Sequence, residues 1–346
     1  RNLLPIPRKS SILYTLRGKL NKMSIKNYII TKKANLARRV HTIAYKKNLE
    51  KTINFDLEES SDLTISVLCS NTTVEMAIGA LKSLYRFLDI SYPLNLHDDG
   101  SLTAVNKKEI QDAFRGVNII SREKSDKELE QFFDRHNLRD IKEFRKKNNV
   151  NLKLTDFTFF CKSSYCLQID SDILFFKKPY FLEQEFLRDL IASRAQSSFY
   201  NIDRGPANCY YENDMERITG KSMPYQFNGG VVLFPVNLDL IKYADHILSL
   251  ALKKHKVWTE EQTIFSMYLN STGICSGLEN NFDVSFRLLE KSLNYNYNLL
   301  STQHYCAWAR NLFYYDFNKK IYPFLKKEDT FQQYFYQKIK GKPKAK

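Results

Sequence analysis

The chain of 346 residues is long enough for one large α/β domain or two smaller ones. Hydrophobic residues make up 43% of it, which supplies a sizeable core and excludes a globally disordered protein. The net charge of +15 comes from the ends, because residues 1–51 carry 14 Lys or Arg and one acid, and residues 337–346 carry five Lys and no acid. The rest of the chain is slightly acidic, so nucleic acid is not the expected partner.

Basic and apolar residues are interleaved near the start of the chain, as at Leu13, Leu16 and Leu20. This pattern predicts a basic, partly helical N-terminal extension over residues 1–60. It is either a solvated packing arm or an amphipathic element that contacts anionic lipid headgroups. Residues 326–346 are interpreted as a Lys-rich C-terminal tail, which also suits peripheral contact with an anionic membrane.

The six cysteines form no Cys-x-x-Cys pair, and most lie inside apolar runs. They are interpreted as buried free thiols in a reducing compartment. No run of 18 apolar residues is present, so no transmembrane helix is expected in this chain. We therefore expect a cytoplasmic protein, with or without peripheral membrane contact. Because the numbering begins at Arg1 rather than Met, removal of an upstream signal or anchor stays open.

From residue 61 onward, apolar β-branched runs alternate with segments of helical periodicity. The patterns predict strands over 63–69, 92–97, 117–120, 165–169 and 227–234, and helices over 73–88, 104–115, 126–147 and 152–161. This alternation indicates βαβ units, and hence an α/β domain over residues 61–325 with a mostly parallel central sheet flanked by helices. In such sheets, ligands bind beyond the carboxyl ends of the strands.

Two carboxylates follow one of these predicted strands, in Asp170-Ser171-Asp172. Whether the chain turns there or continues as a strand, residues two apart can present their side chains at one point. Two hard oxygen ligands suit Mg²⁺ or Mn²⁺ holding a diphosphate. The apolar segments on both sides, Leu167–Ile169 and Ile173–Phe176, make the motif more specific than Asp-x-Asp alone. The alternative is a charged loop tip.

Two further acidic elements precede this motif. Asp98-Asp99-Gly100 follows an early strand, and its carboxylates suit a base N–H or a ribose hydroxyl, although the sequence is also a good generic turn. Lys153 and Asp156 lie three residues apart in the predicted helix before Asp170, so they share one face of it. A surface ion pair is the alternative for them.

Three further elements follow the Asp170-Ser171-Asp172 motif along the chain. Asn228-Gly229-Gly230 opens an apolar strand and lets a ligand approach the backbone closely, or forms a β-bulge. Glu260, Glu261 and Gln262 begin a predicted helix capped by Thr259, where acids also interact favourably with the helix dipole. His304 suits a metal ligand or a satisfied buried histidine, and Arg310 suits a bidentate phosphate contact.

Taken in order, these motifs resemble those of nucleotide-sugar-dependent glycosyltransferases with the GT-A (Rossmann-like) fold and a DxD motif. The resemblance extends from Leu63 to Phe317, and the order is most similar to the family 8 type of retaining glycosyltransferases. The chain departs from that family after His304, where Cys306-Ala-Trp-Ala-Arg310 stands in place of the usual Gly and Lys.

The resemblance implies a sugar transfer from a nucleoside-diphosphate sugar, with UDP-sugars favoured, to a hydroxyl of a glycan or lipid-linked acceptor. It implies Mn²⁺ or Mg²⁺ on Asp170, Asp172 and His304, and places Glu261, Gln262 and Glu260 near the anomeric carbon as catalytic residues. In an inverting enzyme one of the two acids is the general base, but the motif order favours retention. The implied nucleotide-sugar contacts are Asp98, Asp99, Lys153, Asp156, Asp170, Asn228, Gly229, Gly230 and Arg310.

Two other functions were weighed against this one. A metal-dependent nucleotidyltransferase predicts a Gly-rich, basic signature on the first strand, which Leu68-Cys-Ser-Asn-Thr-Thr73 lacks. A non-catalytic protein that binds membranes or nucleic acid on a degenerate GT-A fold predicts loss of one acid of the DxD motif. Both acids are present.

Overall fold

The computed structural model describes residues 39–59, 61–193, 197–202, 227–251, 260–273, 275–278, 282–285, 300–306 and 309–326. The helices are α1 (residues 39–50), α2 (Val74–Tyr85), α3 (Ala104–Ala113), α4 (Arg122–His136), α5 (Arg139–Lys147), α6 (Leu152–Phe160), α7 (Gln184–Ala192), α8 (Asp239–Ala251), α9 (Glu260–Thr272) and α10 (Arg310–Asp316). The strands are β1 (Phe55–Asp56), β2 (Leu63–Cys69), β3 (Leu94–Asp98), β4 (Phe114–Arg115), β5 (Asn118–Ile120), β6 (Tyr165–Ile169), β7 (Ile173–Phe175), β8 (Ser198–Ile202), β9 (Phe227–Pro235), β10 (Cys275–Gly277), β11 (Phe282–Ser285) and β12 (Thr302–Tyr305).

Among the described residues, the central sheet has seven strands in the order β10-β8-β9-β6-β2-β3-β5. Its strands pair in parallel except β9, which runs antiparallel to both β6 and β8. The predicted fold class, a mostly parallel central sheet flanked by helices, is therefore confirmed. Because β9 is reversed, its first residues lie beside the carboxyl end of β6.

A second, three-stranded sheet stands next to that edge, in the order β11-β12-β7. The short β7 follows β6 after only three residues and pairs antiparallel with β12, which places His304 opposite Ile173. The turn between β6 and β7 is thus held between two sheets, with β9 on one side and β12 on the other.

Two hydrophobic clusters lie on opposite faces of the central sheet. Side chains alternate along a strand, so Leu167 and Ile169 of β6 join one cluster and Cys166 joins the other. The first cluster includes most of α2, and the second includes apolar residues of α4, α5, α6, α8 and α9. Burial on both faces explains the continuous apolar runs of these strands.

The prediction of one continuous helix over 126–147 is wrong. The structure has α4 and α5, which are separated at Asn137, whose φ of 55° lies in the left-handed region. Asn tolerates this conformation better than most residues, and it ends a helix in the way that glycine often does. The break lets α5 pack against α8 rather than extend into solvent.

The described part of the predicted N-terminal extension packs on the domain. Tyr45 of α1 is fully buried against the rings of Phe313, Tyr314 and Phe317. Residues 1–38, the tail after residue 326 and Thr259 lie outside the described residues. In the part of the chain that is described, each helix is too short or too polar to cross a bilayer, and Cys69, Cys161, Cys166 and Cys306 are free thiols.

Candidate metal and catalytic site

The turn Asp170–Asp172 lies at the carboxyl end of β6. The backbone N–H of Asp170 donates to the carbonyl of Gly230 on β9 at 2.8 Å, and the N–H of Tyr305 on β12 donates to the carbonyl of Asp172 at 2.9 Å. The turn is therefore fixed by backbone bonds from both neighbouring sheets. This explains why a short polar segment can stay ordered between two apolar strands.

Asp170, Asp172 and His304 bring three ligand atoms together. A carboxylate oxygen from each aspartate and a ring nitrogen of the histidine all lie within 4.8 Å of one another. His304 Nε2 is 3.2 Å from Asp172 Oδ1 and 3.6 Å from Asp170 Oδ2. Two hard oxygens and one imidazole nitrogen are ligands that suit Mn²⁺, and also Mg²⁺ through the oxygens.

A cation holds the second oxygen of each aspartate. Lys153 of α6 donates to Asp170 Oδ1. Arg310, the first residue of α10, donates from Nε to Asp172 Oδ2 at 2.8 Å. The remaining oxygens, Oδ2 of Asp170 and Oδ1 of Asp172, face His304. The two cations thus orient both carboxylates towards the point that the three ligand atoms share.

The charges in this cluster shift the pKa of its members in opposite directions. Burial opposes ionisation of Asp172, but His304 and Arg310 outweigh it and lower the pKa to about 2. Burial also opposes the charged form of His304 and so lowers its pKa. Cys306 and Asp172 outweigh burial and raise the pKa of His304 well above its usual value. Without a metal ion, a protonated His304 therefore satisfies the two carboxylates.

Asn228 fixes the ring of His304 from behind. Its Oδ1 lies 3.1 Å from His304 Nδ1 and accepts a hydrogen bond from the N–H of Gly230 at 2.9 Å. An acceptor at Nδ1 favours a proton on that nitrogen and leaves Nε2 for the cluster. Gly230 is required here, because a Cβ at that position would stand 2.5 Å from His304 Nδ1.

The start of α9 lies next to this cluster. Glu261 is buried, and burial raises its pKa to about 7, while Lys153 lowers it and Asp170 raises it. Gln262 accepts a hydrogen bond at Oε1 from the N–H of Gly229 at 3.0 Å. The backbone of Glu260 begins the helix, but its side chain lies outside the described part of the structure. A carboxyl group with a pKa near 7 is suited to proton transfer at neutral pH.

Gln168 belongs to the site although the sequence analysis did not select it. It is buried on β6, and its Nε2 donates to the carbonyl of Gly229 at 2.6 Å. Gly229 therefore joins Gln168 to Gln262 through its own carbonyl and N–H. The available signal was a long amide side chain inside an otherwise apolar strand two residues before Asp170.

The carboxylates of the acidic turn after β3 are bonded to the turn's own backbone, to Lys107 of α3 and to Asn149. Asp98 Oδ1 accepts from the N–H of Gly100 at 2.8 Å and of Leu102 at 3.1 Å, and its Oδ2 lies 3.0 Å from Lys107 Nζ. Asp99 accepts from the N–H of Ser101 at 3.0 Å. Gly100 has a φ of 100°, as the turn requires. These bonds show a well-ordered turn, and its contact with a nucleotide stays a prediction.

Lys153 and Asp156 point to different partners. Lys153 contacts Asp170, whereas Asp156 lies 3.0 Å from Arg145 Nε and also accepts from Ser125 and Thr155. The side chains of Lys153 and Asp156 are 13% and 2% exposed, so neither belongs to a surface ion pair. Lys153 is a member of the cluster, and Asp156 is a member of a buried network between α4, α5 and α6.

Comparisons with known proteins give likenesses in structure but not in sequence. No protein-family model and no curated protein matches the sequence. Among solved structures, the galactosyltransferase LgtC in complex with donor and acceptor sugar analogues is 14% identical, covering 78% of this chain and 99% of its own, with a TM-score of 0.48.

Two further solved structures show the same level of likeness. Mouse xyloside xylosyltransferase 1 is 12% identical, covering 72% of this chain and 97% of its own, with a TM-score of 0.42. The mannosyltransferase Ktr4p from S. cerevisiae in complex with GDP is 12% identical, covering 71% and 79%, with a TM-score of 0.43. Because the TM-scores lie below 0.5, the function of this chain rests on its own site.

Proposed function

We propose that this protein is a metal-dependent glycosyltransferase of the GT-A type, which moves a sugar from a nucleoside-diphosphate sugar to a hydroxyl acceptor. The observation that carries the proposal is the convergence of Asp170, Asp172 and His304 at the carboxyl end of β6, beside the buried Glu261. The motif order supports it, since the same residues stand where the GT-A resemblance places the metal and the anomeric carbon.

The cluster fits a divalent cation by its donor set. Asp170 Oδ2, Asp172 Oδ1 and His304 Nε2 would hold the ion, and the imidazole nitrogen favours Mn²⁺ over Mg²⁺. Such an ion would supply positive charge next to a diphosphate leaving group. Lys153 and Arg310 keep the two carboxylates oriented. About half of the Arg310 side chain is exposed, which leaves part of its guanidinium available for a phosphate.

The catalytic groups of the proposal are at the start of α9. Gln262 is fixed by Gly229, and Glu261 has a pKa of about 7, so it can exchange a proton with an acceptor hydroxyl. In a retaining reaction, which the motif order favours, Gln262 and Glu261 stabilise positive charge at the anomeric carbon. In an inverting one, Glu261 or Glu260 is the general base.

The partners follow from the same proposal. The donor is a UDP-sugar in preference to other nucleotide sugars, and Asp98, Asp99, Asn228 and Gly229 contribute to its binding. The acceptor is a glycan or lipid-linked hydroxyl. A cytoplasmic location with peripheral contact at an anionic membrane remains a prediction, because most of the basic residues that suggested it lie outside the described residues.

Donor hydrolysis tests the proposal directly. Release of nucleoside diphosphate from UDP-, GDP- and CDP-sugars is measured with Mn²⁺ and with EDTA, for the wild type, Asp172→Ala and Glu261→Gln. We expect activity only with metal and a loss of at least about 100-fold in both variants. Asp134→Ala, which removes an exposed carboxylate on α4, is the matched control and should act as the wild type.

Two outcomes would overturn the proposal. If Asp172→Ala hydrolysed every donor at the wild-type rate, the metal site would have no part in the reaction. Release of pyrophosphate from nucleoside triphosphates, with no turnover of nucleotide sugars, would instead indicate a nucleotidyltransferase.

A further inference from the structure

Strand β9 is irregular at the point where it enters the site. Between two consecutive residues of β8, the pairing with β9 jumps from Val232 to Asn228, so residues 229–231 of β9 have no opposite residue on β8. Such a bulge takes ladder hydrogen bonds away from the residues in it. Gly229 is buried in the bulge, and its N–H and carbonyl need other partners, because an unpaired buried backbone group is costly.

Two glutamine side chains supply these partners. The N–H of Gly229 donates to Gln262 Oε1 at 3.0 Å, and the carbonyl of Gly229 accepts from Gln168 Nε2 at 2.6 Å. A backbone N–H only donates and a backbone carbonyl only accepts, so the two bonds also determine which end of each side-chain amide is the oxygen. The amide of Gln262 is thus held with its oxygen at Gly229.

Gln168 lies beneath the site and not at its surface. The residue is 2% exposed, and it precedes Asp170 by two positions, so it lies on the same side of the chain at the end of β6. Gln262, in contrast, is partly exposed at the start of α9. Gln168 therefore reaches a bound sugar indirectly, through the backbone of Gly229 and then the side chain of Gln262.

The backbone of Gly229 needs to be held at both of its peptide groups. Glycine has more conformational freedom than any other residue, and its N–H and carbonyl belong to two peptide groups that rotate about φ and ψ. The second of these groups is bonded at both ends, since Gln168 donates to its carbonyl and its N–H, that of Gly230, donates to Asn228 Oδ1 at 2.9 Å. With this group fixed, the N–H of Gly229 keeps its direction towards Gln262.

We propose that Gln168 is a positioning residue for sugar transfer, which fixes the backbone of Gly229 so that its N–H holds Gln262 in the reactive orientation. The inference rests on the proposed function, in which Gln262 stands near the anomeric carbon. An amide oxygen has two lone pairs, so Oε1 of Gln262 accepts from Gly229 with one and faces the reacting sugar with the other. A displacement of about 1 Å near a reacting centre can cost about 100-fold in rate, so loss of this support lowers kcat.

Steady-state kinetics with a double-mutant cycle tests the inference. Gln168→Met keeps the length of the side chain and removes its N–H donor, and Gln262→Met removes the group that is positioned. We expect Gln168→Met to lower kcat of donor hydrolysis about tenfold and to leave the donor KM and the Mn²⁺ affinity within about twofold of the wild type. In the Gln262→Met background the same change should have little further effect. Ser66→Ala, a buried residue that pairs with Gln168 from β2, is the matched control and should act as the wild type.

Three kinetic results would overturn the inference. They are a wild-type kcat in Gln168→Met, a tenfold loss that persists in the Gln262→Met background, and a loss of Mn²⁺ affinity in place of kcat. The last would show that Gln168 acts on Asn228 and His304 instead. Circular dichroism shows whether each variant is folded. Gln168→Leu also lacks the donor, and the same results are expected from it if Gln168→Met does not fold.

Crystal structures of the wild type and Gln168→Met test the inference without any turnover. The distance from Gly229 N to Gln262 Oε1, which is 3.0 Å in the wild type, should exceed about 3.5 Å in the variant. An unchanged distance would overturn the inference even in an active enzyme. If the bond is lost in the variant and the wild type turns over no nucleotide sugar, sugar transfer is wrong, whereas the positioning of Gln262 by Gln168 is confirmed.

Discussion

Gly230 shows how a single missing side chain places the metal ligand. A Cβ added to Gly230 would not fit. It would stand 2.5 Å from His304 Nδ1 and 2.8 Å from Asn228 Oδ1. At Gly229 the nearest atom would be Gln262 Cγ at 3.2 Å, which belongs to a side chain that can move slightly. The two adjacent glycines therefore differ in what they permit, and only Gly230 controls the histidine.

Gly230→Ala should weaken Mn²⁺ binding by about 10- to 100-fold, because it displaces His304 from the carboxylates. Gly229→Ala should stay within a few-fold of the wild type, and it is the matched control. Isothermal titration with Mn²⁺ measures both. Equal affinities for Gly230→Ala and the wild type would mean that His304 does not bind the ion.

His97 is a buried histidine that makes the stability of the protein depend on pH. It packs against Phe157, with ring centroids 4.7 Å apart, and within the described residues neither ring nitrogen has a hydrogen-bond partner. Burial lowers its pKa from 6.5 to about 4, although Asp156 raises it in part. The folded state therefore binds the proton less well than the unfolded state does.

Because the folded state holds His97 in its neutral form, the free energy of unfolding is highest above pH 6.5. It decreases as the pH falls towards 4, since the unfolded state then binds a proton at His97 that the folded state does not. The loss reaches about 3 kcal/mol near pH 4. We expect His97→Leu to lack this loss. The difference between its free energy of unfolding and that of the wild type should therefore change in favour of the variant as the pH falls over that range. Urea unfolding at several pH values measures the difference. His246→Leu, at an exposed position on α8, should follow the wild type, and parallel curves for His97→Leu would contradict the prediction.

At the scale of elements, one contact between α1 and α2 explains a glycine inside α2. The Tyr45 hydroxyl donates to the carbonyl of Glu75, and it would stand only 2.3 Å from a Cβ placed on Gly79. Glycine within a helix is otherwise unfavourable by about 1 kcal/mol relative to alanine. Gly79 is thus explained by the space that Tyr45 needs.

Gly79→Ala should destabilise the protein by about 1–3 kcal/mol, even though alanine is the better helix former. In a Tyr45→Phe background the clashing oxygen is gone and the nearest ring atom is 3.2 Å away, so the same change should cost much less. Urea unfolding of the two single variants and the double variant completes the cycle. Additive free energies would show that Tyr45 is not what Gly79 accommodates.

The elements also show where sequence patterns were sufficient. β2, β6 and the position of Asp170 and Asp172 follow from local alternation and a polar break after an apolar run. The reversal of β9 could not be predicted, since a local pattern does not encode the direction in which a strand pairs. The Arg310–Asp172 pair joins residues 138 positions apart, so no motif spacing could reveal it. Asn137 was a recognisable helix breaker, but its signal was weaker than the helical periodicity around it.

At the scale of the whole molecule, the site joins parts of the chain that are far apart in sequence. The β6–β7 turn, β12 and α10 meet at Asp172, through His304 and Arg310 on either side of it. The two basic residues neutralise the buried carboxylate of Asp172, and the ligand atoms of Asp170, Asp172 and His304 come together only in the folded chain. A ligand that binds all three ligand residues therefore stabilises the folded chain over the unfolded one, which has no such site.

Mn²⁺ should accordingly raise the midpoint of thermal unfolding in a concentration-dependent way. At a hundred times its dissociation constant, an ion that binds only the folded state stabilises it by about 2.7 kcal/mol. Differential scanning calorimetry with increasing Mn²⁺, followed by EDTA, measures the shift and its reversal. Asp172→Ala should lose the shift and Asp134→Ala should keep it, since Asp172 supplies a ligand atom and Asp134 does not. An identical shift in Asp172→Ala would place the stabilising ion elsewhere, and the cluster would then be only a buried network of charges.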